Sequence, residues 1–334
     1  MTGEIAPIRS TGIGSWPGTD MADAIKIAFA ECPDLPFLPE LPARGPHAAL
    51  VGRGTAFLAG LAVDLQPAGW RLTDASSRDH RLAISTLRSD LDLLEELSQG
   101  YAGPVKIGVA GPWTLAANCE RPRGDRVVAD PGARRDLGQS LAEGISSLIT
   151  ELRQRLPEVA FLVQLDEPSL PAVLGGSVAT ASGLARHRPV DLPEVSGALR
   201  DLMTQARSAG AAAVVVHCCA PAAPISLLSG AGADGIYVDL DQLGASDWDP
   251  IAACLEGGLE IGCGALPTDR LLSVDEVARR VLTALRDLGL EPEVSAKIVM
   301  TPACGLAGAT GEGALQALRT IRRAAAIVTE QLAD

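Results

Sequence analysis

Short apolar runs alternate with longer amphipathic segments along the whole chain. Each run ends in a polar or small residue and leads through a Gly- or Pro-containing turn into an alanine- and leucine-rich segment with helical spacing. The eight runs are STGIGSWPG, LPFLPELP, VKIGVAGP, FLVQLDEP, AAVVVHCCAP, GIYVDLD, LEIGCGALP and KIVMTPACG. Most are continuously apolar, which is typical of strands in a parallel sheet that is covered on both faces.

Eight strand–helix alternations predict an α/β fold of the (β/α)8 or TIM barrel type, as a single domain over residues 1–334. A doubly wound open sheet is the alternative, because periodicity does not say whether a sheet closes; the count of eight favours the barrel. The segments RLAISTLRSDLDLLEELSQG and VDEVARRVLTALRDLGL are predicted helices. Residues 60–74 fit neither a core strand nor a full helix and are interpreted as an inserted hairpin or lid near the mouth, and the polar stretch 121–135 as a surface loop.

Charge and composition exclude several classes of partner. The net charge is −13, and the 28 basic residues form no dense run that would release counterions from a phosphate backbone, so nucleic acid is not expected. The most apolar stretch, AGAAAVVVHCCA, is too short to span a bilayer, and the N-terminus lacks a signal-like apolar region; we expect a soluble, cytoplasmic protein without a membrane partner. Seven cysteines in such a chain indicate free thiols or metal ligation rather than a disulfide framework.

Candidate chemistry lies at the predicted strand ends, because catalytic groups of a barrel sit at the carboxyl ends of its strands. The side chains found there are Ser15, Glu40, Asp166, His217, Cys218, Cys219, Asp239, Cys263 and Cys304. Residues i and i+2 of a strand point to the same side, so His217 and Cys219 face one point while Cys218 turns away. With Cys304 from the last strand they make an imidazole and two thiolates, a donor set that suits tetrahedral zinc with one exchangeable position.

The opposing interpretation is that these residues are ordinary core side chains, since cysteine is among the most frequently buried residue types. We assign Cys32, Cys119, Cys254 and Cys263 to the core on this basis. Glu167, beside Asp166, is expected to form a salt bridge to a neighbouring helix. Trp113 is either an aromatic wall or a buried tryptophan, and Arg44 and Arg53 are expected on the solvated surface.

The stretch GIGSWPG, residues 12–18, fails as a dinucleotide fingerprint because its glycines are spaced G-x-G-x-x-x-G and Pro17 interrupts them. Together with LPELP, GPWT, QLDEP, HCC, ADGIYVD and TPACG, in that order, it resembles the catalytic C-terminal barrel of cobalamin-independent methionine synthase, within the uroporphyrinogen decarboxylase-like superfamily. The resemblance covers nearly the whole chain. GIGSWPG then corresponds to the family's I-G-S-[FW]-P segment.

The resemblance implies a zinc-dependent methyltransferase that methylates the thiol of homocysteine to form methionine. It implies zinc ligands at His217, Cys219 and Cys304, with the carboxylate of Asp239 where the family has a glutamate one methylene longer. It also implies that Ile13, Gly14, Ser15, Glu40 and Asp166 bind the amino acid, with no side chain assigned as catalytic in its own right.

Two further departures bear on the methyl donor, which is a methylated folate or a corrinoid protein. The segment GCGALP has Gly262 and Gly264 where the family carries D-x-H, the obvious proton source for a departing folate, and the chain is too short for the second barrel of the long synthases. Both point towards a corrinoid protein or a small methylated compound. The alternatives left open are another thiol acceptor such as coenzyme M and a non-catalytic barrel that binds an amino acid or zinc; a porphyrin decarboxylase would want pocket arginines rather than a thiolate cluster.

Overall fold

The computed structural model of the chain describes residues 6–333. Its strands are, in chain order, β1 Arg9–Ser10, β2 Phe37–Leu38, β3 Ala62–Gln66, β4 Gly69–Thr73, β5 Pro104–Ala110, β6 Ala160–Asp166, β7 Ala213–Cys218, β8 Gly235–Asp239, β9 Glu260–Leu266 and β10 Ile298–Pro302. Eight of them form one parallel sheet in the order β1-β10-β9-β8-β7-β6-β5-β2. These eight strands fall in the eight apolar runs of the sequence.

The sheet curls, and its two edge strands meet just beyond their carboxyl ends. Ser15, after β1, and Glu40, after β2, form a parallel bridge in which the Glu40 N–H donates to the Gly14 carbonyl (3.0 Å) and the Trp16 N–H donates to the Glu40 carbonyl (2.8 Å). The predicted TIM-barrel class is therefore confirmed, and the open doubly wound sheet was the wrong alternative.

Helices cover the outside of the sheet. They are α1 Met21–Glu31, α2 Leu50–Thr55, α3 Arg78–Leu97, α4 Pro112–Asn118, α5 Pro131–Arg155, α6 Leu170–Leu174, α7 Leu192–Ser208, α8 Ile225–Gly230, α9 Trp248–Glu256, α10 Val274–Leu288, α11 Pro292–Ser295 and α12 Gly311–Ala333. The two helices named from the sequence are α3 and α10. α10 begins with a capping box, in which the Ser273 hydroxyl accepts from the Glu276 N–H and the Glu276 carboxylate accepts from the Ser273 N–H.

Strands β3 and β4 form an antiparallel hairpin inserted between α2 and α3. Trp70 of β4 is buried, and Glu120, which follows α4, exchanges backbone hydrogen bonds with Trp70 and Leu72. Since α4 comes directly after β5, the contact with Glu120 places the hairpin near the loops at the carboxyl end of the barrel.

The stretch 121–135 is only partly the surface loop expected from its polarity. Val127 and Val128 are buried in a short 3-10 turn, and α5 already begins at Pro131 behind an N-cap formed by Asp130. The helix start is a sequence signal, an Asp-Pro pair, that the overall polarity of the segment obscured.

Alternate residues of each strand point into the barrel and stack from floor to mouth. On β6 these are Leu162, Gln164 and Asp166, and on β7 Val215 and His217. The apolar members close the floor, and the polar members lie above them. Within residues 6–333, no helix is both long and apolar enough to cross a membrane.

Candidate active site

Asp166 and His217 form a buried pair at the carboxyl ends of β6 and β7. The two residues are register partners in the sheet, so their side chains emerge beside each other on the inner face. The His217 Nδ1 lies 2.8 Å from the Asp166 carboxylate. A proton on Nδ1 leaves Nε2 with a free lone pair, which is how a carboxylate orients a histidine for metal ligation.

His217, Cys219 and Cys304 converge at the mouth of the barrel. One ligand atom from each lies within 4.8 Å of the other two, and the two sulfurs are 3.1 Å apart. The Nε2 atom of His217 is buried and accepts or donates no hydrogen bond, which is costly unless something else occupies its lone pair. Three donors of this chemistry, one already oriented by Asp166, fit a zinc ion, because zinc takes imidazole nitrogen and thiolate sulfur in tetrahedral sites.

The two thiols share a hydrogen bond that makes them unequal. Either sulfur can be the donor. With the proton on Cys219, the contact lowers the pKa of Cys304 to about 6, while the same contact and burial raise the pKa of Cys219. Cys304 is the more readily deprotonated thiol of the pair, and the thiolate is the form that binds a metal.

One cavity of about 240 Å³ gathers the predicted site residues. It is lined by Ile13, Gly14, Ser15, Glu40, Pro42, Leu50, Asp166, Pro168, His217, Cys219, Cys304 and Gly305. The loop after β1 therefore faces the His/Cys/Cys group across a space below the ~300 Å³ at which drug-sized pockets begin. A space of this volume suits a small molecule of amino-acid size.

Asp239 is placed differently from the other predicted ligands. Its carboxylate accepts from the Asp241 N–H (2.9 Å) and caps the 3-10 turn that follows β8. Asp239 is absent from the cavity lining and from the group of converging ligand atoms. Short acidic side chains readily make such local turns, and this use competes with ligation.

Arg53 was wrongly assigned to the surface. It is 3% exposed, and its Nη1 donates to Glu40 (3.0 Å) and to the Gly108 carbonyl. Burial raises the pKa of Glu40 to about 7, against the opposing pull of Arg53. Arg44 also has a fixed partner: its two terminal nitrogens donate to the two carboxylate oxygens of buried Asp90 (2.7 and 2.6 Å). Nothing in the local pattern VGRGT marked Arg53 as buried; only the folding of α2 against β5 does so.

Lys106 and Gln164 are two further polar residues inside the barrel that the sequence interpretation missed. Both are fully buried, on β5 and β6, and the Lys106 ammonium donates to the Gln164 side chain. The Gln164 amide donates in turn to Asp166 (2.8 Å). A signal existed for Lys106, because it is the single charged residue within the apolar run VKIGVAGP, and charged residues are almost never buried without partners.

Glu167 has a structural function other than the expected salt bridge. Its carboxylate accepts from the N–H groups of Trp113 (2.9 Å) and Thr114 (2.7 Å) and from the Thr114 hydroxyl, and so caps the N-terminus of α4. Burial raises its pKa to about 7 despite these donors. Trp113 itself is buried in the hydrophobic core and does not line the cavity.

The carboxyl end of β9 has no room for the missing D-x-H side chains. A Cβ atom on Gly262 would lie 2.1 Å from the Tyr237 ring, and one on Gly264 would lie 2.6 Å from the Val238 carbonyl oxygen and 2.8 Å from the Ala303 Cα. Neighbouring backbone atoms occupy the space beside Gly264, so the packing of this chain leaves no room for the second side chain of D-x-H.

Comparison with known proteins identifies the family. The catalytic-domain model of the cobalamin-independent synthase matches residues 105–327. No curated protein matches the chain. A B12-independent methionine synthase from Shewanella sp. W3-18-1, solved in complex with selenomethionine, has a TM-score of 0.66 at 14% identity, covering 98% of this chain and 99% of that one. A protein from Listeria monocytogenes described as a vitamin-B12-independent methionine synthase has a TM-score of 0.62 at 14% identity, covering 96% of this chain and 98% of that one.

The two solved structures show similarity of fold alone. The family model identifies the family, because it spans well over half of the 334 residues. The chain belongs to the cobalamin-independent synthase family and is a methyltransferase of the methionine synthase type.

Proposed function

We propose that this methyltransferase methylates the thiol of homocysteine to form methionine, at a zinc ion held by His217, Cys219 and Cys304. The observation that carries the proposal is the convergence of these three ligand atoms with the loop after β1 and two buried carboxylates around one 240 Å³ cavity. The Shewanella protein of similar fold binds selenomethionine, an analogue of the proposed product.

The residues around the cavity supply complementary partners for a zwitterionic amino acid. Glu40 and Asp166 carry the negative charge that an ammonium group requires, and Ser15 with the backbone of Ile13 and Gly14 offers polar partners to an α-carboxylate. Binding both ends of the amino acid orients the side chain towards the Cys219 and Cys304 sulfurs. Positioning of this kind lowers the entropic part of the barrier.

Zinc, when bound, supplies stabilisation of a substrate thiolate at neutral pH, and a thiolate is the nucleophilic form of sulfur. The chain's own contribution is the orientation of His217, held at Nδ1 by Asp166, and a Cys304 whose pKa is lowered by its contact with Cys219.

The proposal is tested by zinc content and methyl transfer in Cys219→Ser and Cys304→Ser, with Cys218→Ala as the matched control. Cys218 is on the same strand but fully buried in the core. We expect about one zinc per chain in the wild type and the control, and its loss in both serine variants together with more than ~100-fold of activity, since even outer-shell partners are worth ~10–100-fold. Homocysteine binding without turnover under every donor would favour the non-catalytic barrel instead.

Methyl donors are to be compared in the same assay, with a methylated folate in one arm and a methylated corrinoid protein in the other. We propose that the corrinoid arm is the faster one, because a corrinoid leaving group needs no proton and the position of the family's proton source is filled by backbone at Gly264. Faster transfer from the folate would contradict this choice of donor while leaving the acceptor unaffected.

Whether Asp239 completes the zinc site is decided by Asp239→Asn. If the carboxylate leaves its capping hydrogen bond and ligates, zinc affinity falls by orders of magnitude in this variant. If the open position belongs to water or to the substrate thiol, zinc content stays at that of the wild type. Thermal unfolding of the same variant checks that the cap is kept, which we expect because the amide oxygen of asparagine also accepts a backbone N–H and Asn and Asp are equally good capping residues.

A further inference from the structure

A buried lysine lies beneath the cavity without lining it. Lys106 is 1% exposed, and its ammonium group donates to the Gly12 carbonyl (2.7 Å), the Ile13 carbonyl (3.1 Å) and the Gln164 side chain. An ammonium group has three donors, so all of them are engaged within the protein. The rings of Phe37 and Tyr237 lie 5.9 and 5.7 Å from Nζ. Lys106 is therefore equipped to hold protein groups rather than to touch a substrate.

Gln164 connects Lys106 to Asp166 at the cavity. Its amide nitrogen donates to the Ile13 carbonyl and to Asp166, both at 2.8 Å, while its amide oxygen accepts from Lys106. Because a lysine is donor-only, it requires the oxygen of Gln164 on its own side and so directs the amide nitrogen towards Ile13 and Asp166. The same Asp166 oxygen accepts from His217 Nδ1.

We propose that Lys106 is a positioning residue that holds the two walls of the amino-acid site in register: the loop after β1, through the carbonyls of Gly12 and Ile13, and Asp166 with His217, through Gln164. This inference rests on the proposed function for the identity of the amino acid. Every link is a buried hydrogen bond, and buried networks specify one geometry only when all members are satisfied.

The charge of Lys106 adds to this geometric role. Burial lowers its pKa to about 8, so it remains a cation at neutral pH, and it is the buried counter-charge that faces Asp166 and Glu40 from β5. Removing it takes this counter-charge away from two carboxylates that line the cavity, of which Glu40 keeps its contact with Arg53.

The test compares Lys106→Met and Gln164→Leu with the wild type in three readouts: the Kd for homocysteine by calorimetry, the zinc affinity by competition with a chelator, and KM and kcat in the transfer assay. Tyr237→Phe is the matched control, because it loses a partly buried hydrogen bond to Glu260 (2.6 Å) while keeping the ring beside Lys106. We expect each test variant to weaken homocysteine and zinc binding on the order of 10- to 100-fold. KM should rise more than kcat falls, and the control should match the wild type.

The two substitutions and their combination also form a double-mutant cycle. If Lys106 acts through Gln164, the double variant binds homocysteine no more weakly than the worse single variant, whereas independent contributions would multiply. Should Lys106→Met fail to fold, Gln164→Leu alone decides, because it breaks the link to Asp166 while Lys106 keeps the Gly12 and Ile13 carbonyls as acceptors.

The outcomes separate this inference from the proposed function. Homocysteine and zinc affinities within twofold of the wild type in a folded test variant overturn the role of Lys106 while leaving the function intact. A wild type that binds zinc but no homocysteine overturns the acceptor, and the zinc affinity of the two variants then decides the role of Lys106. A wild type that binds neither overturns both.

Discussion

The two sides of the barrel mouth differ in what their strand ends carry. The ends of β6, β7 and β10, with the loops after β1 and β2, bring three polar side chains and the three ligand atoms of the His/Cys/Cys group to one cavity. The ends of β8 and β9 bring a carboxylate turned back into a local cap and two glycines packed against neighbouring atoms. We call these the reactive arc and the silent arc. All of them are carboxyl ends of parallel strands, so position at that end of the barrel permits chemistry without ensuring it.

Adjacent residues at one strand end also differ in whether their side chains face the cavity. Asp166 and Glu167 follow one another at the end of β6, yet Asp166 faces the cavity while Glu167 caps α4 outside it. His217 and Cys219 reach the mouth, while Cys218 between them is buried in the core. The strand's period of two sorts the side chains, and a shift of one residue would exchange all these roles.

The largest expected effect is on the reactive arc, in Arg53→Met. It leaves the Glu40 carboxylate buried without its ion-pair partner, and breaking such a pair costs ~3–5 kcal/mol of unfolding free energy. Arg270→Met on the silent arc loses an exposed pair with Asp241 and should cost below ~1 kcal/mol. Urea unfolding at pH 7.5 measures both, and equal losses would contradict the distinction between the arcs.

The next effect is on the silent arc, in Gly264→His, which installs half of the family's D-x-H. Because backbone atoms lie within 3 Å of the new Cβ, we expect a loss of ~1–3 kcal/mol or more from overpacking and no gain in folate-dependent transfer. Gly308→His is the control, since nothing lies within 4 Å of a Cβ there. A stable Gly264→His that gains activity with folate would show that the arc is silent by residue choice alone and not by packing.

A smaller effect is expected from Gly305→Ala, beside Cys304. The added methyl would lie 1.9 Å from the Ser15 Oγ, so Ser15 must move away from the position proposed for the substrate carboxylate. We expect roughly tenfold weaker homocysteine binding, about 1.4 kcal/mol, the scale of one hydrogen bond. Calorimetry against Gly308→Ala checks this, and unchanged affinity would remove Ser15 from the binding site.

The smallest effect is a pH dependence. With a pKa of about 7, Glu40 is anionic above neutrality and becomes neutral below it, so homocysteine affinity should fall by about twofold between pH 8 and pH 7, as half of the Glu40 carboxyl groups become protonated. The sign for stability is opposite: a raised carboxyl pKa contributes stability that is full below about 4.5 and is lost as the pH rises through about 7. Calorimetry and urea unfolding between pH 5 and 8 measure the two slopes, and Glu40→Gln should flatten both.

Sequence patterns located the site well where strand alternation decides it. The residues Ile13, Gly14, Ser15, Glu40, Asp166, His217, Cys219 and Cys304 were all named from strand ends and family motifs, and they line one cavity. Their chemical roles remain proposals, but their convergence follows from eight parallel strands ending at one face. Asp239 was named by the same reasoning, and its carboxylate is engaged by a turn two residues away.

What the sequence by itself determined is therefore the barrel, its strand register on the inner face and the set of side chains that reach its mouth, because these depend on periods of 2 and 3.6 residues that are written locally. Only the tertiary structure decided which buried polar side chains lie around the cavity, and that the ends of β8 and β9 contribute no side chain to it. Arg53 and Lys106 are buried because distant segments supply their acceptors, Glu40 and Gly108 for one and Gly12, Ile13 and Gln164 for the other. Gly262 and Gly264 are confined by neighbouring strands. Partners and obstacles of this kind lie far apart along the chain, and no local pattern records them.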